Sequence, residues 1–317
     1  MVRLGLIGAG GMANSVHYPS LATMDDVRLE ALCDLDRERL DRTAAAFAVP
    51  RTFTDYRRML DSVRVDAVYV LMPPHQLFDL VLDALERGKH VFIEKPPGVT
   101  VEQCRQMAAA AERSGVLGMV GFNRRFIPLM RACRDRVLAR GPVTQCVASF
   151  YKCYRDQPAY YRGATDVLTC DAVHAVDMLR WMGGEARTVA SLVDRREADY
   201  DNAFNALVRF AGGATGVLLS NWTVGGRVHR FEMHGPGVSA YADPDGEAVL
   251  LEDGGAPEVL ASRTVAGSEE FRVYYGFEAE NRHFIDCIRD GVTPLTSLAD
   301  AVRTMELVER IYHSRLA

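Results

Sequence analysis

Lys95 directly follows the run Val91-Phe92-Ile93-Glu94 and directly precedes Pro96-Pro97. A short apolar run of this kind reads as a buried parallel strand. The residue just past its C-terminal end then falls on the edge of an open α/β sheet where ligands bind. The two prolines fix φ and hold the backbone extended, so the amine is presented from a stiff mount. A lysine there offers a compact positive charge with several donors, suited to stabilising negative charge that develops on an oxygen.

A second constellation opens the chain. Gly8-Ala9-Gly10-Gly11-Met12-Ala13 follows the strand-like run Val2–Ile7 and has the G-x-G-x-x-A form of a dinucleotide-binding turn. Gly8 permits the tight turn, Gly10 lets backbone approach a pyrophosphate, and Ala13 lets the next helix pack close. Gly11 and Met12 complete the turn at a helix N-terminus, where free N–H groups and the macrodipole favour phosphate. A second strand, Val27–Cys33, ends at Asp34, close to the roughly 20-residue spacing of a ribose-binding acid. A carboxylate there repels a 2′-phosphate, so NAD is expected over NADP. Leu35 offers no phosphate contact, while Arg37 and Arg39 leave NADP open.

The elements that position these residues follow from periodicity. Up to about residue 122, strands (2–7, 27–33, 67–71, 91–93, 116–121) alternate with helices (12–23, 37–47, 56–62, 76–87, 101–114). This predicts a doubly wound parallel sheet with right-handed crossovers. Beyond it, helices are expected over 127–140, 166–182, 277–290 and 298–314. Strands over 143–154, 188–194, 203–210, 214–224 and 227–234 predict an α+β domain on an open, mostly antiparallel sheet. Residues 243–256 read as a Gly- and Asp-rich hairpin or loop. The expected division is a nucleotide-binding domain over 1–122 and a second, α+β domain over 123–317.

The 317 residues suit two domains, and an apolar fraction of 48% suits substantial cores. The net charge is −5, and no basic tract or aromatic-basic stripe points to nucleic acid. No run of about 18 apolar residues could span a membrane. The first strand begins at once, leaving no room for a signal peptide, so a cytoplasmic protein is expected. The seven cysteines lack C-x-x-C and zinc spacings, so reduced thiols and no metal are expected.

Taken together, the chain resembles the Gfo/Idh/MocA oxidoreductase family. The resemblance rests on Gly8–Ala13, on Pro73-Pro74-His75 where the family has Thr-Pro-Asn-His, and on Gly88-Lys89-His90-Val91 through Glu94-Lys95-Pro96. It continues through Gly121-Phe122-Asn123-Arg124-Arg125-Phe126, a helix bearing Asp171, His174 and Asp177, and the tail Phe284-Ile285-Asp286 to Gly291 and Pro294. It implies an N-terminal Rossmann domain, a C-terminal α/β domain whose open sheet mediates homodimers or homotetramers, and hydride transfer between NAD(P) and a secondary alcohol or ketone. The implied substrate is a small polyhydroxyl molecule such as a sugar, an inositol or a related polyol.

The resemblance also assigns roles. Lys95 contacts the reacting hydroxyl and the cofactor, and His174 is the acid/base. Leu71, Pro73, His75, Glu94 and Asn123 join the cofactor site. Where the family places an aspartate four residues before the histidine this chain has Cys170, with Asp171 three before instead. On a helix either spacing brings side chains together, so Asp171 orients His174 or contacts substrate from a shifted position. A histidine titrates near neutral pH and suits the hydroxyl proton. Tyr151, Lys152, Tyr154, Tyr160, Tyr161 and Arg162 form an aromatic-basic group suited to a polyhydroxyl or anionic ligand. Arg124, Arg125, Asn221, Trp222 and His229 are further candidates. Two other readings remain: an enzyme using NAD transiently, as in glycoside cleavage, and a regulator that senses NAD or a sugar without turnover.

Overall fold

The structure, a computed structural model, describes residues 1–155 and 157–316. Its contacts divide the chain into two units, Met1–Phe122 with Phe277–Val302, and Asn123–Gly276 with Arg303–Ala317.

The first unit carries strands β1 (Val2–Ile7), β2 (Val27–Cys33), β3 (Thr52–Phe53), β4 (Ala67–Val70), β5 (His90–Glu94) and β6 (Gly118–Gly121). They form one sheet in the order β3-β2-β1-β4-β5-β6, every pair parallel. This is the doubly wound order, whose switch point lies between β1 and β4. Helices α1 (Tyr18–Ala22), α2 (Arg37–Ala46), α3 (Tyr56–Ser62), α4 (Phe78–Glu86) and α5 (Val101–Ser114) connect the strands. Asp36, Asp55 and Thr100 cap α2, α3 and α5 by accepting backbone N–H groups, and Gly115 ends α5 in the left-handed region.

The helix expected over 12–23 forms as a continuous helical run over 11–22 that contains a π-helical turn, Ala13–His17, ahead of the short α1. Pro19 lacks the N–H that an unbroken α-helix would use there, and a wider turn accommodates it.

The second unit carries α6 (Pro128–Arg140), β7 (Gln145–Cys153), α7 (Val173–Gly183), β8 (Ala186–Asp194), β9 (Ala203–Phe210), β10 (Thr215–Asn221), β11 (Thr223–Gly235), β12 (Val238–Ala242), β13 (Glu247–Glu252) and β14 (Glu258–Ala261), then the short helices α8 (Ser262–Ala266) and α9 (Phe271–Tyr274). The eight strands run β14-β13-β12-β11-β7-β10-β9-β8. All pairs are antiparallel except β7 with β10, which the long connection through α7, β8 and β9 makes parallel. The region expected as a hairpin or loop is a hairpin region: β13 pairs antiparallel with β12 and with β14, with Ala248 and Leu250 buried. Glycines and aspartates at both ends mask so short an alternation.

The reading of 123–317 as one domain needs correction at its C-terminal end. Helix α10 (Phe277–Asp290) and the start of α11 (Leu298–His313) group with the first unit. The reason is apolar burial. Phe284 of α10 packs edge-on against Tyr69 of β4, which stacks on Phe92 of β5 at 4.7 Å. Between the helices, Thr296 exchanges backbone and hydroxyl hydrogen bonds with Val120 of β6, covering the edge of the sheet.

In the second unit Gly183 closes α7 and Gly216 sits in β10. A Cβ on either would overlap the ring of Phe210, which fills the space both glycines leave. Gly183→Ala should therefore destabilise by about 1–3 kcal/mol, the usual penalty of overpacking. Urea denaturation checks this as a lower midpoint with an unchanged slope.

Candidate functional site

The glycine turn sits at the switch point of the first sheet. Gly8 has φ +99°, and a Cβ there would collide with the carbonyl oxygen of Leu71 at the end of β4. This explains glycine at that position, and it brings the loops after β1 and β4 together. The Ala9 N–H donates to Asp34 Oδ2 at 2.7 Å, and Asn14 Nδ2 donates to the carbonyls of Ala9 (2.8 Å) and Gly10 (3.0 Å). Ala13 is buried and lets the helical turn pack down, while Met12 is exposed.

The turn fits a dinucleotide. A Cβ on Gly10 or Gly11 would meet nothing within 4 Å, so bare backbone faces open space in front of a helix start. Asp34 projects from the end of β2 beside it, its second oxygen accepting the Asp36 N–H at 2.9 Å. Leu35 is exposed, and Arg39 is paired to Asp36 at 3.1 Å. Leu71 and Pro73 follow β4, and the exposed His75 lies in the 3₁₀ turn Pro74–Gln76.

Lys95 leaves the end of β5, two strands from β1 on the same carboxyl edge of the parallel sheet. Its mount is built from Glu94 and from His17, a side chain that the sequence did not single out. Glu94 accepts the Lys95 backbone N–H at 3.0 Å through Oε2, and Oε1 lies 2.8 Å from Nε2 of His17, which is fully buried. His17 is held in turn by Asn281 of α10. The Phe277 carbonyl can only accept, so it orients Asn281 Nδ2 toward itself at 2.7 Å, with His17 Nδ1 3.2 Å away. Asn281 Oδ1 lies 3.3 Å from the same Nδ1, and the Glu94 carboxylate can only accept, so Nε2–H donates to Glu94. Glu280, also fully buried, brings a carboxylate oxygen within 4.8 Å of the ligand atoms of His17 and Glu94. The only sequence signal for His17 was a polar residue on the buried side of the first helical turn.

The remaining candidates belong to the second unit. Asn123 is buried and donates to the Tyr275 carbonyl at 2.9 Å. Asp171 lies in a π-helical segment, Leu168–Ala172, and His174 in the first turn of α7; both are buried. Asp171 accepts from Lys152 Nζ of β7 and from the Tyr160 hydroxyl, the latter at 2.7 Å. Burial and then the Asp171 charge raise the Tyr160 phenol well above its ordinary pKa, so it remains a donor. Asp177 has a different task. It takes a bidentate pair from Arg125 at 2.8 and 2.6 Å and a hydroxyl hydrogen bond from Thr304 at 2.9 Å.

His229 of β11 stacks on Phe150 of β7 at 3.7 Å and accepts from Arg227 at 2.9 Å through Nδ1. Burial above all, followed by the charges of Arg124, Arg227 and Lys152, lowers its pKa to about 2, with Asp171 opposing. The Trp222 ring lies tilted beside Phe150 at 5.7 Å.

Comparison with known proteins extends these findings. Residues 2–122 match the family model described as the oxidoreductase family, NAD-binding Rossmann fold, and residues 139–240 match the GFO/IDH/MocA C-terminal domain. The chain is 24% identical to scyllo-inositol 2-dehydrogenase (NAD(+)) of Bacillus subtilis (strain 168), over 96% of this chain and 92% of that protein. It is 27% identical to D-apiose dehydrogenase of Paraburkholderia graminis, over 98% of this chain and 86% of that protein. A crystal structure of a dehydrogenase from Chromobacterium violaceum superposes with a TM-score of 0.89 at 26% identity, covering 99% of this chain and 95% of that one.

Two consequences can be measured. Asp177→Ala leaves the Arg125 charge buried without its carboxylate, and should cost about 3–5 kcal/mol of stability. Calorimetric melting should show the loss, while the nucleotide affinity of the folded variant stays at the wild-type value. His229 is neutral in the folded protein but protonates near pH 6.5 once unfolded. Between about pH 6.5 and its folded pKa of about 2 the unfolded state therefore binds more protons, and stability falls as pH falls. The slope from this group is up to about 1.4 kcal/mol per pH unit. His229→Gln should show a shallower acid slope in denaturant titrations at stepped pH, with no change above pH 7.

Proposed function

The chain belongs to the Gfo/Idh/MocA family of NAD-dependent oxidoreductases, dehydrogenases acting on CH–OH groups, and from that premise we propose that its substrate is a sugar-like or cyclic polyol whose reacting hydroxyl is served by Lys95 and His174. The observation that carries this reading is the placement of Lys95 on the carboxyl edge of the parallel sheet, at the end of a strand and on the same edge as the glycine turn. A bound NAD supplies the hydride acceptor; the protein supplies position, charge and proton transfer.

In alcohol oxidation the hydroxyl must lose a proton while its carbon loses a hydride. His174, an imidazole in the first turn of α7, takes that proton. The Lys95 ammonium stabilises negative charge on the oxygen as the O–H bond breaks. Glu94 holds the backbone under Lys95 through the Lys95 N–H and His17, and the acceptor sites left on its two oxygens can take a cofactor hydroxyl. Asp171, held by Lys152 and Tyr160, supports the substrate's further hydroxyls, since that group combines acceptors with donors. Asp34 favours NAD through its charge beside the ribose position, with NADP the less favoured cofactor. Exposed apolar side chains on the second sheet, Leu192, Leu207 and Val259 among them, support a homodimer or homotetramer through that face.

The test is NADH formation by the purified protein with NAD and a panel of sugars, inositols and sugar acids. Lys95→Ala should lower kcat by about 10²–10³-fold, the effect of removing one oxyanion-stabilising donor. His174→Asn should lower it by about 10²–10⁴-fold. Both variants should bind NADH, measured by calorimetry, within a few-fold of wild type. A Lys95→Ala protein that kept wild-type turnover would remove Lys95 from the chemistry.

A further inference from the structure

Three cationic side chains of the second unit gather around the ring of Phe150 and its stacked partner His229. Lys152 Nζ lies 5.7 Å from the Phe150 centroid, Arg124 Cζ lies 5.3 Å from it, and Arg227 bonds to His229. Two of the charges are paired to carboxylates: Lys152 with Asp171, and Arg227 with Asp245. Arg124 differs. It is buried, lies over the rings of Phe150 and Tyr275 (5.3 and 5.6 Å), and reaches His229 Nδ1 through one terminal nitrogen at 3.5 Å. Among the described residues no carboxylate pairs with it, and its Nε is a buried donor with no hydrogen-bond partner.

His229 adds a second donor. Arginines only donate, so Nδ1 is the acceptor for Arg227 and the hydrogen must sit on Nε2. That Nε2 is also buried and has no partner among the described residues. A buried guanidinium with no counter-charge, beside a buried N–H with no acceptor, is an expensive arrangement for a protein to keep. An anionic ligand would relieve both.

We propose that Arg124, with the Nε2–H of His229 beside it, binds a carboxylate of the substrate, which makes the substrate a polyhydroxylated carboxylic acid. This rests on the dehydrogenase reading above only for the premise that this unit holds the substrate. One unanswered positive charge matches a monoanion better than a phosphate dianion. The planar guanidinium fork matches the two oxygens of a carboxylate, and its aromatic surroundings exclude the water that would weaken the pair. Asp171 does not cancel the attraction, because Lys152 and Tyr160 hold its charge.

The experiment is calorimetric binding to the full chain in the presence of NADH, using matched pairs such as gluconate with glucitol and galactonate with galactitol. At least one acid should bind tenfold or more tightly than its neutral partner. Arg124→Gln should erase that preference, and Arg124→Lys, which keeps the charge but loses the fork, should retain part of it. The wild-type comparison decides the matter even if Arg124→Gln does not fold. No preference for the acid in any pair, or a preference that survives in folded Arg124→Gln, overturns the proposal. NADH formation on the same pairs separates the two readings. Turnover of neutral polyols as fast as acids sinks the carboxylate and leaves the dehydrogenase standing. Arg124-dependent acid binding with no NADH from any alcohol keeps the anion site and sinks the polyol-dehydrogenase reading.

Discussion

The hydrogen bond from His17 to Glu94 is the constraint on which the nucleotide-binding unit depends. A lysine at the end of a strand is useful only if its backbone is held, and strand ends fray because their last N–H and C=O groups lack ladder partners. Glu94 prevents that by accepting the N–H of the very next residue with one carboxylate oxygen while His17 holds the other. His17 can do this only with a hydrogen on Nε2, and Asn281 positions the ring from a helix more than 260 residues away in sequence. The same histidine packs edge-on against Phe92 and Phe277, so the polar clamp and the apolar core of the sheet share a side chain. This is why the C-terminal helix α10 belongs to the first unit: it supplies Phe284 to the core and Asn281 to the clamp under Lys95.

The second unit solves a different problem, the burial of many charges in one place. Arg125 and Asp177 answer each other in bidentate geometry, with Thr304 filling a remaining acceptor site, so this group is structural and complete. Lys152, Asp171 and Tyr160 form a second set in which an acid is held by a cation and a phenol. Around Phe150 and His229 positive charge exceeds negative, and the imidazole responds by staying neutral. Burial and local charge thus separate side chains of the same type into different tasks: one arginine locks the fold, and its sequence neighbour is left with a charge to give to a ligand.

Much of the first unit was legible in the chain. The glycine turn, the alternation of strand and helix, and the position of Lys95 are local signals, each set by steric freedom or by the period of apolar residues over a few positions. The terminal helices and the strands β9 and β11 could likewise be located from periodicity. For β13 the turn-forming glycines and aspartates on either side left a hairpin and a loop equally open, and the pairing with β12 and β14 decides for the hairpin. The parallel pairing of β7 with β10 could not be located from periodicity, since strand neighbours are chosen by the path of the whole chain.

The residues that complete the candidate site show the same boundary. By itself the sequence determined a nucleotide-binding turn, an acid at the end of the second strand, a lysine on a strand end and a histidine on a helix, because each is a residue type at a fixed local spacing. Only the tertiary structure decided that Glu94 is a clamp, that Asp177 is a structural partner of Arg125, and that Arg124 keeps an unanswered charge. Those roles depend on which groups from distant segments lie within hydrogen-bond reach and how much water remains around them. Neither distance nor dielectric is written into local spacing.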